Sequence, residues 1–393
     1  MPTPRPSTAP DFLLSRSTGS VRTQGALKTF SSIGEAGRWL ASNAPGRHSR
    51  PPAAGEPHEE PMIVGAIPFE IDKPAALTAP RSVIRSPGPL EPPAYYRAGA
   101  SSPIEATITG LDPSKKRHLA RVEAARRTIE RTALDKVVLA RAVTIAFARR
   151  VDPRALAARL IDASPTRDGF LADLSPAGGA YFGHTLVGSS PEVLIKKRGR
   201  TVTAFPLAGS APRAADPADD RLAAGRLAAS AKDLGEHRFV VEHLKSRLGP
   251  LCETLDVPDS PILTSTNELW HLATPIRGTL ADEAYSALEL VAAVHPTPAV
   301  CGTPTDAAMT VISGAETDRG FYGGAVGWAD ARGDGEFMVA IRCAEIDALG
   351  ARARAWGGGG IVADSDPETE LAETTTKLST VLRCLGIDTD DVD

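Results

Sequence analysis

The chain has 393 residues, with 44 Lys plus Arg against 48 Asp plus Glu and a formal net charge of −4. That balance excludes a nucleic-acid scaffold, which needs a positive field to neutralise phosphates, and no apolar run reaches the roughly 18–20 residues of a membrane helix. Hydrophobic residues at 42% suffice for a large core, and the length allows two or three domains.

The opening MPTPRPSTAP carries no apolar stretch after its arginine and does not read as a secretory signal. Residues 1–60 are rich in Pro, Ser, Gly and Ala, and Gly46–Pro61 offers little to bury, so mobility is expected there. Phe12-Leu13-Leu14 and a helical pattern over Gly34–Leu40 interrupt this stretch. Met62–Phe69 suits a buried strand. Residues 74–111 are proline-rich and predict a long, loop-dominated connection. A basic helix follows over 114–135, then a β-branched strand over Val137–Ala148 and a helix over Pro153–Ala163. Strands are expected at Gly169–Leu174, Tyr181–Val187 and Val193–Lys197. Ala215–Leu248 is helical with a break near Gly235. Strands at Phe321–Ala329, Phe337–Ile346 and Arg352–Trp356 and a helix over Glu368–Cys384 complete the chain. Many strands with helices between and after them give an α+β class. Residues 1–61 are expected to be a partly mobile N-terminal segment contributing edge structure. Residues 62–390 form one α+β domain, most characteristic over 112–388.

Several residues could carry chemistry. Strand alternation puts Lys136, Val138 and Ala140 on one face; a lysine at the mouth of an apolar strand is a candidate base, because desolvation lowers the pKa of such an amine. Glu192, after the tight Gly188-Ser189-Ser190-Pro191, is a candidate general acid if apolar neighbours keep its proton. Asp233 with Glu236, and Glu370 with Glu373, are spaced i, i+3, so each pair shares a helix face. Two facing pairs would make a hard oxygen site suited to Mg²⁺. Lys377 lies at i+4 from Glu373, either as a surface ion pair or as a cation aimed at the same anion. Gly357–Gly360 either bring backbone N–H groups against an anion or form a flexible turn. Arg342, inside an apolar strand, needs a carboxylate partner, structural or bound. His271 and His295 are lone histidines, too sparse for a metal site. Cys252, Cys301, Cys343 and Cys384 are too widely spaced for a metal knuckle, so reduced thiols in a cytoplasmic protein are expected.

Taken in order, these segments resemble the chorismate-utilising enzymes, the superfamily of anthranilate synthase component I. The residues that carry the likeness are Lys136–Arg141, Pro206–Ser210, Lys232–His237, Leu269–Thr274, His295–Pro298, Asp318–Tyr322, Ala340–Cys343 and Glu373–Thr380. With Val64–Phe69, the chain is most similar to the siderophore-type isochorismate synthases. The resemblance implies two stacked antiparallel sheets around a central cleft, with helices outside. It implies Mg²⁺ held by Glu236 and Glu373 and supported by Asp233 and Glu370. Arg342, Tyr322, Lys377 and the backbone of Gly358 and Gly360 would hold the carboxylates of chorismate, with Gly209, His271 and Ala299 around the ring. Lys136 would deprotonate water for attack at C2, and Glu192 would protonate the departing C4 hydroxyl. The product, isochorismate, would feed a siderophore or menaquinone route through a downstream isochorismate-consuming enzyme, and the protein would be a monomer without nucleic-acid or membrane partners. Two rival activities stand beside this one. Amine-adding relatives typically read Pro-Ile-Ala-Gly-Thr at Pro206–Ser210 and use a glutaminase. Salicylate synthases, which go on to eliminate pyruvate, usually carry Thr at Ala299. A non-catalytic paralogue would have lost Lys136, Glu192, Glu236 or Glu373, and all four are present.

Overall fold

The computed structural model describes residues 9–43, 56, 58–92 and 104–392. Most of the Gly46–Pro61 stretch expected to be mobile lies outside these residues, as does most of the opening decapeptide.

Strand alternation decides the architecture. In strand Lys136–Phe147, Ala140 and Ala142 turn to one face and Val143, Ile145 and Phe147 to the other, and both sets are buried. Layers must therefore cover both faces. Among the described residues every strand pairing is antiparallel, and seventeen strands share one hydrogen-bonded network. From Ala106–Asp112 it runs through Lys136–Phe147, Arg352–Ile361, Cys343–Ile346, Thr185–Gly188 and Gly169–Asp173 to Phe12–Arg16. It continues through Gly19–Phe30, Ala76–Ser86, Met62–Ile67, Ala325–Asp330, Gly335–Val339 and Val193–Arg198.

The two halves stack on each other. One core cluster joins Phe12, Ala142, Phe170 and Trp356 of the first half to Met62, Val83, Val326 and Met338 of the second, with no α-helical member. Helices cover the outer faces: Pro153–Ala163 and Pro367–Cys384 on the first half, and Ile33–Ser42, Ala231–Leu248 and Ala287–Val294 on the second. This is the α+β arrangement expected from the sequence. Leu207–Pro212, Leu269–Ala273 and Ile262–Ser265 form a separate three-stranded sheet. No helix among the described residues is long and apolar enough to cross a membrane, and the four cysteines are unbridged.

Four expectations are corrected. The described part of residues 74–111 is not mainly loop: Ala76–Ser86 is an eleven-residue strand. Its Pro80 sits where the register against Gly19–Phe30 slips between Ala26 and Lys28, and a bulge is a place where a strand tolerates the missing N–H. Within the N-terminal segment, Phe12–Arg16 is not an edge strand, because it is paired on both sides. Phe337–Ile346 is not one strand: Arg342 has φ +51° between Gly335–Val339 and Cys343–Ile346. The helical break falls at Ser230, not Gly235. Ser230 ends Pro217–Ala229 and caps Ala231–Leu248 by accepting from the Asp233 N–H.

Gly235 therefore lies inside a helix, and a Cβ there would meet nothing within 4 Å. Gly235→Ala is expected to stabilise the fold by about 1 kcal/mol, because it removes backbone entropy from the unfolded chain without a clash. A higher urea midpoint at unchanged m-value checks this.

Candidate active site

Lys136 opens its strand with its side chain on the inner face. It is fully buried, with Nζ 3.0 Å from Glu236 Oε1, although the two are not aligned as a hydrogen bond. Space for this pair comes from the glycine run, which is not a turn but part of strand Arg352–Ile361, hydrogen-bonded to Val138–Arg141. Alternation gives its glycines two different tasks. On the outer face, a Cβ on Gly357 would lie 2.4 Å from the Thr374 carbonyl, and one on Gly359 3.0 Å from Glu370 Oε2. These positions let helix Pro367–Cys384 close on the sheet. On the inner face, a Cβ on Gly358 would lie 2.7 Å from the Tyr322 hydroxyl, and one on Gly360 2.1 Å from Glu236 Oε1 and 2.9 Å from Lys136 Cε. Gly360→Ala should therefore push both Glu236 and Lys136 off position. A displacement of this size is expected to cost about 100-fold or more in kcat, with an unchanged far-UV circular dichroism spectrum.

Glu192 is 3% exposed. Burial pushes its pKa up to about 7, against a Leu207 N–H bond and the charges of Lys136, Lys377 and Arg342. A large fraction of the protein thus holds a protonated carboxyl at neutral pH, the state a general acid needs.

Around this carboxyl stand groups suited to anions. Arg342 is buried; its guanidinium donates to His271 Nε2 at 3.4 Å and to Thr380 Oγ1 at 3.4 Å. Because a guanidinium only donates, His271 Nε2 is the acceptor and Nδ1 carries the proton toward the Gly209 carbonyl. Burial and the charges of Arg342 and Lys377 hold this imidazole far below its ordinary pKa, so it is neutral. Tyr322 stacks on Trp356 at 5.5 Å and 9°, and burial raises its phenol pKa, which keeps it a donor. Lys377 Nζ donates to the Gly358 carbonyl at 2.8 Å and pairs with Glu373.

One cleft gathers most of the residues singled out in the sequence: Glu192, Gly209, Glu236, His271, Ala299, Tyr322, Arg342, Gly358, Gly360 and Lys377 all line it. Lys136 lies behind Glu236 rather than on the wall. Asp233, Glu370 and Glu373 stand back from the lining. His295 lies elsewhere, held by the carbonyls of Pro68 and Phe69.

Helices Ala231–Leu248 and Pro367–Cys384 bring the four acids into mutual electrostatic range. Burial, then Glu373, raises the Glu370 pKa; Lys377, Lys232 and Ser210 overcome burial to lower that of Glu373. Glu370 Oε2 is buried without a hydrogen-bond partner. Among the described residues no three acidic, imidazole or thiol groups form a closed metal cage. The carboxylates of Glu236 and Glu373 are oxygen donors of the kind that suits Mg²⁺, which keeps waters and takes one or two carboxylates plus a ligand oxygen.

Sequence reasoning passed over the supports. Ser210 donates to Glu373 at 3.1 Å, and Lys232 and Ser365 each hold Glu370 at 2.7 Å. A buried Glu316–Arg319 pair accepts the Ala140 N–H and donates to the carbonyls of Val138 and Val300, each at 2.7 Å. It locks the Lys136 strand to the Ala299 segment.

A carboxyl poised near neutrality and convergent donors in one cleft, with a buried amine behind Glu236, make an arrangement suited to moving protons on a small polyanion. Residues 96–386 match the family model described as chorismate binding enzyme, and the chain belongs to that family. It is 46% identical to MenF of Mycobacterium tuberculosis over 84% of this chain and 87% of that one. It is 42% identical to the isochorismate synthase DhbC of Bacillus subtilis over 84% of this chain and 81% of that one. The crystal structure of DhbC from Bacillus anthracis superposes with a TM-score of 0.84 at 33% identity, covering 97% of each chain.

Proposed function

We infer that this chain is an isochorismate synthase, which converts chorismate to isochorismate. The observation that carries the reading is a buried carboxyl, Glu192, on the wall of a cleft whose Glu236 is backed by the fully buried Lys136 amine at 3.0 Å. The 42% identity to an isochorismate synthase supports it.

Lys136 takes a proton from water while the water oxygen bonds to C2. The C1=C2 pair shifts to C1=C6, the C5=C6 pair shifts to C4=C5, and the C4–O bond breaks. Glu192 gives its proton to the departing hydroxyl, which leaves as water. Lysine ends protonated and glutamate ionised, and solvent exchange resets both. Arg342, Tyr322 and Lys377 orient the carboxylates, and neutral His271 presents an uncharged face to the ring. Glu236 and Glu373 would hold Mg²⁺, with Asp233 and Glu370 supporting them. When bound, the ion neutralises the ring carboxylate and draws electron density from C2. The same reading gives a monomeric cytoplasmic enzyme with its domain over residues 62–390, passing isochorismate to a consuming enzyme. Ala299 on the cleft wall accords with release of isochorismate.

Incubation with chorismate and Mg²⁺, followed by chromatography, tests the reading. Isochorismate formation lost with EDTA and restored by Mg²⁺ is expected. Salicylate plus pyruvate would assign the rival activity, and no turnover would overturn the reading.

A further inference from the structure

The segment that presents Glu192 is held from behind by the N-terminal strand, which lies outside the matched family region. Arg16 ends strand Phe12–Arg16, where the first half of the sheet network passes into the second through the Arg16–Gly19 pairing. Its Nη1 lies 2.9 Å from Asp168 Oδ2 and donates to the Ser190 carbonyl at 3.3 Å, while Nε lies 3.6 Å from Glu336 Oε1. Asp168 is 7% exposed, and its backbone carbonyl accepts from Ser189 Oγ at 2.7 Å. Ser190 Oγ in turn accepts the Glu192 N–H at 3.3 Å. The opposite side of the same turn is tied to the substrate-binding machinery, because the Ser189 N–H donates to the Arg342 carbonyl at 3.1 Å.

From this chain of contacts we propose that Arg16, with Asp168, is a positioning residue for the catalytic acid: it fixes the Ser189–Pro191 turn so that the Glu192 carboxyl faces the C4 hydroxyl. The proposal rests on the isochorismate synthase reading. Arg16 is suited to the task because one always-charged nitrogen, Nη1, reaches both the Asp168 carboxylate and the Ser190 carbonyl. Without it, Asp168 would be a buried carboxylate lacking its cation and the turn would lose its donor. Glu192 acts on the leaving group in the transition state, whereas Arg342 binds carboxylates throughout. Loosening the turn through its Arg16 side should therefore appear in kcat rather than in KM.

The test uses the full chain with chorismate and Mg²⁺. Arg16→Met and Asp168→Asn are each expected to lower kcat about tenfold or more with KM within about twofold. Arg16→Lys, which keeps the charge and a donor, should recover part of the loss. Thermal midpoints are recorded alongside; should Arg16→Met not fold, Asp168→Asn decides. Unchanged kcat in the folded members of the Arg16→Met and Asp168→Asn pair, or a loss confined to KM, would overturn the proposal. Absence of turnover in the unmodified enzyme would instead overturn the function assigned above.

Discussion

Glu192→Gln is expected to lower kcat by about 10³-fold, within the range lost when a positioned acid is removed, while the fold is retained. Gln keeps the shape and the acceptor facing the Leu207 N–H but has no proton to give. The same residue sets two pH effects. Catalysis needs the protonated carboxyl, so activity should fall as pH rises through about 7. Burial raises the folded-state pKa above that of the unfolded chain, so the folded protein binds more protons between the ordinary glutamate range and about pH 7. Stability contributed by this group is complete below that window and is lost as pH rises through it. The Gln variant escapes the loss. It should match the unmodified protein near pH 4, below the window, and exceed it at pH 8 by on the order of 3 kcal/mol. Urea midpoints at the two pH values check this. Equal midpoints at both would mean that the carboxyl is not desolvated.

The second large effect is Lys136→Met. The amine is fully buried beside Glu236, and Met fills most of its volume without the nitrogen. Loss of the base is expected to lower kcat by about 10²–10⁴-fold. Chorismate binding, read from the fluorescence of Trp356 stacked on Tyr322, should persist, because Arg342, Tyr322 and Lys377 are untouched. Glu236 keeps 12% side-chain exposure, so its carboxyl oxygens can recruit water when the amine is gone. Retained turnover with retained binding would remove Lys136 from the role of base.

The parts of this site that were legible in the sequence are those with a periodic signature. Alternation from Lys136 to Ala140 placed the amine on the inner face, and i, i+3 spacing placed each acidic pair on one helical face. Glu192 was legible through the tight turn before it, but its burial belongs to the packed protein. The glycine run was ambiguous for a physical reason: a strand is recognised by its side chains, and four successive glycines have none. Its strand character comes from pairing with Val138–Arg141. Proline hid Ala76–Ser86 in the same way, since a bulge that accommodates Pro80 requires a partner strand. Ser230 was overlooked as a helix break because glycine is the more familiar breaker, yet a serine that caps the following helix interrupts as effectively. Arg16, Ser210 and Lys232 carry no local pattern; their partners lie more than a hundred residues away.

Every role above depends on water reaching C2 as the C4 hydroxyl departs. Turnover of chorismate in ¹⁸O-labelled water, stopped before the reverse reaction sets in and read by mass spectrometry of isochorismate, measures that directly. One heavy oxygen in each newly formed product molecule is expected. Product at the unlabelled mass would mean that the hydroxyl migrates within the substrate, leaving the amine of Lys136 without a water to deprotonate.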